Sequence, residues 1–440
     1  MSPLGILAFI ICAIAIFKVS RPTVIVPILA GTCLLTMGEA LTIGTLHFPL
    51  FRFLILVAHV RLLLRSDWQD LKWNTVDTLM IIFSLWMMLS SFFHRSDGFG
   101  FITLSSYVFD VSGVYFIVRA TLRSWNDLFP ITKALAILLA IVAFEMVYEK
   151  ATGKNLFSIF GRIQESVVIR GDKLRAQGPF LHPILAGTVG ATSVALFATI
   201  WRKANYYAKI GTCAGLSMTI ASASSGPLIA LFFVTLALFF WRFRRFVSLI
   251  KWLLLSGYLL AEIVMPGPAY YIMARVDLTG NSDGWHRARL IEVAFSKLGD
   301  WWLWGADYTR DWMPSGVPWS ANHTDITNYF LHWGVMGGLT PMLSIITVTV
   351  LGFKYIGQFM RRSDYNSNDN TFKAWCLGAC LTGHVVTCFS VAYFDQSLVF
   401  IWLTIGCAAS IPSFASEDID SDSYSQTSEE TDLPETNESI

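Results

Sequence analysis

The chain has 440 residues, 54% of them hydrophobic and only 14% charged, with a formal net charge of +1. A soluble domain carries about 25% charged residues, so a water-exposed globule, a disordered chain and a nucleic-acid binder with a basic face are all excluded. The apolar residues lie in blocks of roughly fifteen to twenty, the length that crosses a hydrocarbon core about 30 Å thick, which predicts an all-α polytopic membrane protein. In chain order the blocks are 3–17, 22–38, 46–64, 76–93, 102–118, 130–147, 181–200, 207–221, 227–241, 247–264, 327–353, 374–390 and 397–411. That predicts about 12–13 transmembrane helices. The first block starts almost at Met1, with no basic stretch ahead of it and no small-residue cleavage site behind it. It reads as a retained span, not a signal peptide.

Alternate connections are basic. They hold Lys18 and Arg21; Arg61, Arg65 and Lys72; Arg119, Arg123 and Lys133; Arg202, Lys203 and Lys209; Arg242, Arg244, Arg245 and Lys251; and Lys354, Arg361, Arg362 and Lys373. The positive-inside rule puts that side in the cytoplasm, with the N-terminus outside and the C-terminus inside. All seven cysteines fall within the spans, so no disulfide framework is expected. Cys376, Cys380, His384 and Cys388 form a ladder on one helix face. One straight helix cannot wrap ligands round an ion, and packing against a neighbouring helix is the simpler reading.

Five regions follow: N-terminal spans (1–147), an outer loop with central spans (148–264), a large outer loop (265–326), C-terminal spans (327–411) and a tail (412–440). From Ser416 onward the tail has nine acidic residues and no basic ones, too little apolar surface to fold upon itself. The loop 148–180 carries Lys150, Lys154, Arg162, Arg170, Lys173 and Arg175, and the loop 265–326 carries Arg275, Arg287, Arg289, Lys297 and Arg310. Long loops translocate regardless of charge, so these residues suit either a solvated face, lipid headgroups or an anionic ligand that a planar guanidinium can fork. The larger loop also holds Trp285, Trp301, Trp302, Trp304, Trp312 and Trp319. Interfacial anchoring explains tryptophans at this level; stacking against sugar rings is the second reading. Residues 286–298 have helical spacing, with Leu290, Ile291, Ala294 and Leu298 forming an apolar stripe that Arg287 overlies. This predicts a surface helix, capped from Asn281-Ser282-Asp283-Gly284. Arg52 lies inside a span, where a charge is costly, and pairs with Glu39 or Asp110 or reaches a ligand.

Glu149 to Phe157 reads EKATGKNLF and Arg175 to Pro183 reads RAQGPFLHP. The large loop has Arg287, Ala294 and WWLWG at 301–305, and ends in His323, followed in the next span by Gly334-Val335-Met336-Gly337. In this combination the chain resembles the O-antigen ligase and O-antigen polymerase superfamily of bacterial inner-membrane proteins. Motifs cover roughly residues 140–350; the family's Asn after the histidine is Thr324 here, with Asp325 and Asn328 close behind.

The resemblance implies a glycosyltransferase that moves a glycan from an undecaprenyl-pyrophosphate carrier to a glycan or lipid acceptor. Transfer would take place on the periplasmic face, with no metal, cofactor, nucleotide sugar or nucleic acid. Other polysaccharide-assembly proteins and membrane lipid are the further partners it implies. It also implies His323, Arg287 and Asp325 as catalytic residues. Arg175, Arg275, Arg289, Arg52, Trp302 and Trp304 are then the expected substrate contacts. Chemically, fixed cations stabilise the charge that develops on a leaving pyrophosphate, and the His323 imidazole takes the acceptor's proton, with Asp325 either orienting it or serving as the base itself. Polymerase and ligase differ only in the acceptor, which these residues do not separate. The alternative is a secondary transporter or flippase for an anionic or lipid-linked substrate; the paired halves with broken helices that transporters usually show are not found.

Overall fold

Each apolar block yields helix in the computed structural model, with the first four residues of block 46–64 forming a strand instead; the structure describes residues 1–43, 46–94, 99–275, 284–318, 320–362 and 368–431. The helices are α1 (Pro3–Lys18), α2 (Ile25–Leu34), α3 (Leu50–Leu64), α4 (Thr75–Ser90), α5 (Phe99–Thr121), α6 (Leu128–Thr152), α7 (Pro183–Ala198), α8 (Asn205–Ala221), α9 (Ser225–Phe239) and α10 (Val247–Val264). The large loop contributes α11 (Ile272–Arg275), α12 (Gly284–Ser296) and α13 (Leu298–Trp301). The C-terminal part has α14 (Tyr329–Gly337), α15 (Leu339–Arg362), α16 (Asn368–Cys388) and α17 (Leu398–Thr431). Sheet is confined to two small antiparallel hairpins, β1 (Ala40–Ile43) with β2 (Leu46–Pro49) and β3 (Val168–Arg170) with β4 (Lys173–Arg175), among the described residues.

Four helical stretches are long and apolar enough to cross a membrane: Gly100–Thr121, Trp125–Thr152, Ser225–Val264 and Leu339–Arg362. The protein is therefore an all-α, membrane-associated chain. Forty residues of helix reach about 60 Å, twice a hydrocarbon core, and the stretch Ser225–Val264 is broken at Phe243, whose φ/ψ is not helical. Other blocks yield shorter helices. The block 22–38 keeps only ten helical residues in α2, about 15 Å of rise. The block 327–353 is divided at Gly338, whose left-handed φ of 88° ends α14 and lets the chain restart as α15. The tail, expected from composition to carry no structure, continues as helix through Pro412 to Thr431, and 432–440 lie outside the described residues. A helix already nucleated adds each further residue at little cost, which a composition argument does not weigh.

α7 sits at the centre, with most of its residues buried. Small residues let its neighbours close in: a Cβ on Gly190 would stand 2.6 Å from the carbonyl oxygen of Gly215 in α8. At one end of the bundle a buried ionic network joins three helices. Arg119 at the end of α5 forks onto Asp77 at the start of α4, with both distances 2.8 Å, and reaches Ser410 of α17 at 3.1 Å. Arg61 pairs with Asp67 and Arg123 with Asp70 in the same region.

Candidate functional site: loops that gather two arginines and a histidine

The two outer motifs of the first loop are each other's partners. Glu149, in the last turn of α6, accepts the backbone N–H groups of Gln177 and Gly178 at 2.9 Å each. Asn155 donates to the carbonyl of Gly178 at 2.9 Å and accepts from the N–H of Phe157 at 2.8 Å. An acceptor-only carboxylate and a two-way amide are the residue types such a junction needs. Arg175, at the end of β4, is thereby buried, and its Nη2 donates to Ser224 Oγ at 2.7 Å in the turn between α8 and α9. On its other side the segment 179–181 is held by the turn before α17. Asp395 accepts the N–H of Leu181 at 2.8 Å, and Gln396 donates to the carbonyl of Pro179 at 2.8 Å. Burial pushes the Asp395 carboxyl up, against the pull of its bonds to Ser397 and Leu181 and the charge of Arg162.

His182 ends this segment as the cap of α7, its Nδ1 accepting from Ile184 at 3.1 Å. Burial, then the charges of Arg175 and Arg170, push its pKa down to about 4. An unfolded imidazole titrates near 6.5, so between pH 6.5 and 4 the unfolded chain binds the extra proton and stability falls as the pH drops. His182→Asn keeps a capping acceptor without a titratable ring. Thermal unfolding at pH 7 and pH 5 is expected to show a smaller acid loss for the variant than for the wild type, and an equal loss would refute this source.

α12 is amphipathic as its spacing predicts. Leu290 and Ala294 are fully buried against Trp301, Trp312 and Val335, so the large loop closes a small core of its own over α14. Gly334 of the Gly-Val-Met-Gly motif is where the Trp301 ring lands; a Cβ there would be 2.6 Å from Cζ3. The helix ends two residues earlier than expected, at Ser296, and its foreseen cap 281–283 lies outside the described residues. Arg287 points back to the bundle, its Nε donating to the carbonyl of Ser390 at 3.2 Å. A Cβ built on Gly226 would lie 3.2 Å from Ser390 Oγ, so this same turn rests on the start of α9, beside Ser224 and hence Arg175. Two arginines from loops far apart in sequence thus arrive at adjoining turns.

His323 lies in the extended segment before α14 and is half-buried. Its Nδ1 is 3.2 Å from Thr309 Oγ1, which also accepts the N–H of Thr324 at 3.2 Å. Burial lowers its pKa, offset in part by the charge of Asp307, while His94 lowers it further. His94 itself bridges α4 to the loop, with Nδ1 2.6 Å from Asp307 Oδ1 and Nε2 3.0 Å from the carbonyl of Met336. Both of its ring nitrogens face oxygen atoms, one from the loop and one from α14. Asp325 is exposed, and His286, next to Arg287, meets its carbonyl at 3.0 Å. That contact ties the helix of Arg287 to the segment of His323.

The remaining expected contacts are dispersed. Arg52 forks onto Asp110, one of the two foreseen partners, at 2.8 and 3.0 Å through Nε and 2.8 Å through Nη2. Arg289 pairs with Glu292 at 2.9 Å, and Arg275 is exposed at the end of α11. Trp302 is 50% exposed, whereas Trp304 stacks on Phe93 at 3.9 Å and on Trp86 at 5.3 Å, fastening the loop to α4. Trp319 lies outside the described residues. Thr324, where the family pattern has Asn, is buried and donates to the carbonyl of Ser315 at 2.9 Å. In the cysteine ladder, Cys380 meets Thr404 and His384 meets Tyr393. Among the described residues no three His, Cys, Asp or Glu side chains gather as a metal-holding group. Sequence reasoning passed over His94, Asp307, Thr309 and Asp395; the lone acid in the connection 391–396 was a signal for the last.

A scan of the chain against protein-family models finds no match, and a search of the curated proteins finds none either.

Proposed function

We propose that the protein is a multi-pass membrane glycosyltransferase of the O-antigen ligase and polymerase kind. It moves a glycan from a polyprenyl-pyrophosphate carrier to an acceptor hydroxyl on the periplasmic side of a bacterial inner membrane, with the C-terminal tail in the cytoplasm. The observation that carries this reading is the meeting of Arg175 and Arg287 at adjoining turns, with the segment of His323 and Asp325 tied to the helix of Arg287.

The chemistry follows from those groups. The bond from the sugar's anomeric carbon to the phosphate oxygen breaks, and that carbon bonds to the acceptor oxygen. Polyprenyl pyrophosphate leaves with the added negative charge, which the guanidinium groups of Arg175 and Arg287 stabilise. The acceptor proton goes to His323. With Nδ1–H donating to Thr309 Oγ1, Nε2 keeps its lone pair, and the burial-lowered pKa holds the ring neutral, as a base must be. Asp325, exposed two residues beyond His323, orients the acceptor in this account. Arg52, whose charge Asp110 balances, supports the helix pair α3 and α5 in this account.

The test is transfer in vesicles from a lipid-linked oligosaccharide with no nucleotide sugar. We expect polyprenyl pyrophosphate and a longer or newly attached glycan, at a rate that EDTA does not change. Strong inhibition by EDTA would point to a metal and a different enzyme class.

A further inference from the structure

On the side of α12 away from Arg287 there is a groove of about 570 Å³, within the range of small-molecule sites. Tyr271, Trp285, Arg289, Asp311 and Trp312 line it. At about 100° per residue, Trp285, Arg289 and Glu292 share one helix face and Arg287 lies roughly opposite. One short helix therefore has the arginine that reaches Ser390 on one side and an aromatic groove on the other.

The groove's chemistry is specific. Trp285 is 53% exposed, while Trp312 is only 4% exposed and forms a fixed floor. Among the described lining residues the two charged ones are paired: Arg289 with Glu292 at 2.9 Å, to which Tyr271 also donates, and Asp311 with Lys297, while Arg310 beside them is spent on the carbonyls of Met313 and Pro314. A phosphate would need a cation in excess, which these balanced pairs do not offer. They offer planar donors and acceptors, held in place, beside flat aromatic faces. Adjacent hydroxyls on a ring with an apolar C–H face match that combination, as a lipid headgroup does not.

We propose that this groove is a saccharide-binding subsite. It holds a sugar of the glycan substrate one helix thickness, about 10 Å, from Arg287, while the reacting end lies at the transfer centre. The link to transfer rests on the function proposed above; the binding itself does not.

The test is calorimetry on the full chain in nanodiscs, titrated with oligosaccharide released by mild acid from the producing cell's own polyprenyl-linked pool. The wild type is expected to bind saturably. Trp285→Ala is expected to bind at least about tenfold more weakly, a loss of about 1.4 kcal/mol, with Trp285→Tyr restoring most of the affinity. Arg287→Ala, on the opposite face, should keep the binding. No binding by the wild type, or undiminished binding by Trp285→Ala at an unchanged melting temperature, would overturn the proposal. So would quenching by brominated phosphatidylglycerol of the fluorescence that Trp285→Phe removes, unrelieved by the oligosaccharide, because Trp285 would then be a membrane anchor. Binding without transfer activity would refute the transferase reading and leave the groove standing; transfer without binding would refute the groove alone.

Discussion

Arg287→Ala is expected to abolish glycan transfer while the protein still inserts and accumulates. The side chain sits on a half-buried face of α12 and its Nε reaches the carbonyl of Ser390, but the helix is held by Leu290, Ala294 and Trp301 rather than by this arginine. Folding should therefore survive. What is lost is a fixed cation at the place where the pyrophosphate acquires charge, and removing one such group typically costs roughly 10²–10³-fold in rate. Arg287→Lys keeps the charge but not the planar fork, so it should recover only part of the activity. His323→Ala should cost about 10²–10⁴-fold by removing the base, again without loss of protein. Product formation per unit of protein, measured from a lipid-linked oligosaccharide, decides both. Full activity in either alanine variant would remove that residue from the mechanism.

Asp77→Ala carries the largest expected effect on stability. Its carboxylate is fully buried, accepts two bonds from Arg119 and one at 2.6 Å from Tyr115, and caps the start of α4 by accepting the N–H of Asn74 at 2.8 Å. Asn74 in turn donates to the carbonyl of Ala409, so the cluster fastens α4 and α5 to α17. Truncating the aspartate leaves the Arg119 guanidinium buried with its charge uncompensated, a loss of about 3–5 kcal/mol. The melting temperature in detergent and the accumulated protein should both fall sharply. In the double variant with Arg119→Met the stranded charge is gone, so the loss should be smaller than the sum of the single losses. Equal and additive losses would show that the pair does not act as a unit.

The helices were legible because their apolar runs leave little choice, and the amphipathic spacing around Leu290 and Ala294 placed α12 to within two residues. The basic turns were legible only as markers of orientation. Arg61, Arg119 and Arg123 in fact form ion pairs with Asp67, Asp77 and Asp70, two acids of the connection before α4 and one in its first turn, which were not weighed there. Arg52 was easier, because a charge within a span requires a partner, and Asp110 was one of the two named. The motif pair around Glu149 and Arg175 was visible as two segments; that one supplies the carboxylate for the other's backbone became visible only in three dimensions. The same holds for His94 and Asp307, which belong to different loops and have no shared spacing to reveal them.

The most direct measurement reconstitutes the purified chain in vesicles with a polyprenyl-pyrophosphate-linked oligosaccharide as the only sugar donor, and follows the glycan and the carrier together. The account predicts that the glycan leaves the carrier for an acceptor hydroxyl, that polyprenyl pyrophosphate is released in equal amount, and that Arg287→Ala stops both. If the oligosaccharide instead crosses the bilayer still joined to its carrier, the protein is a transporter and the account is wrong.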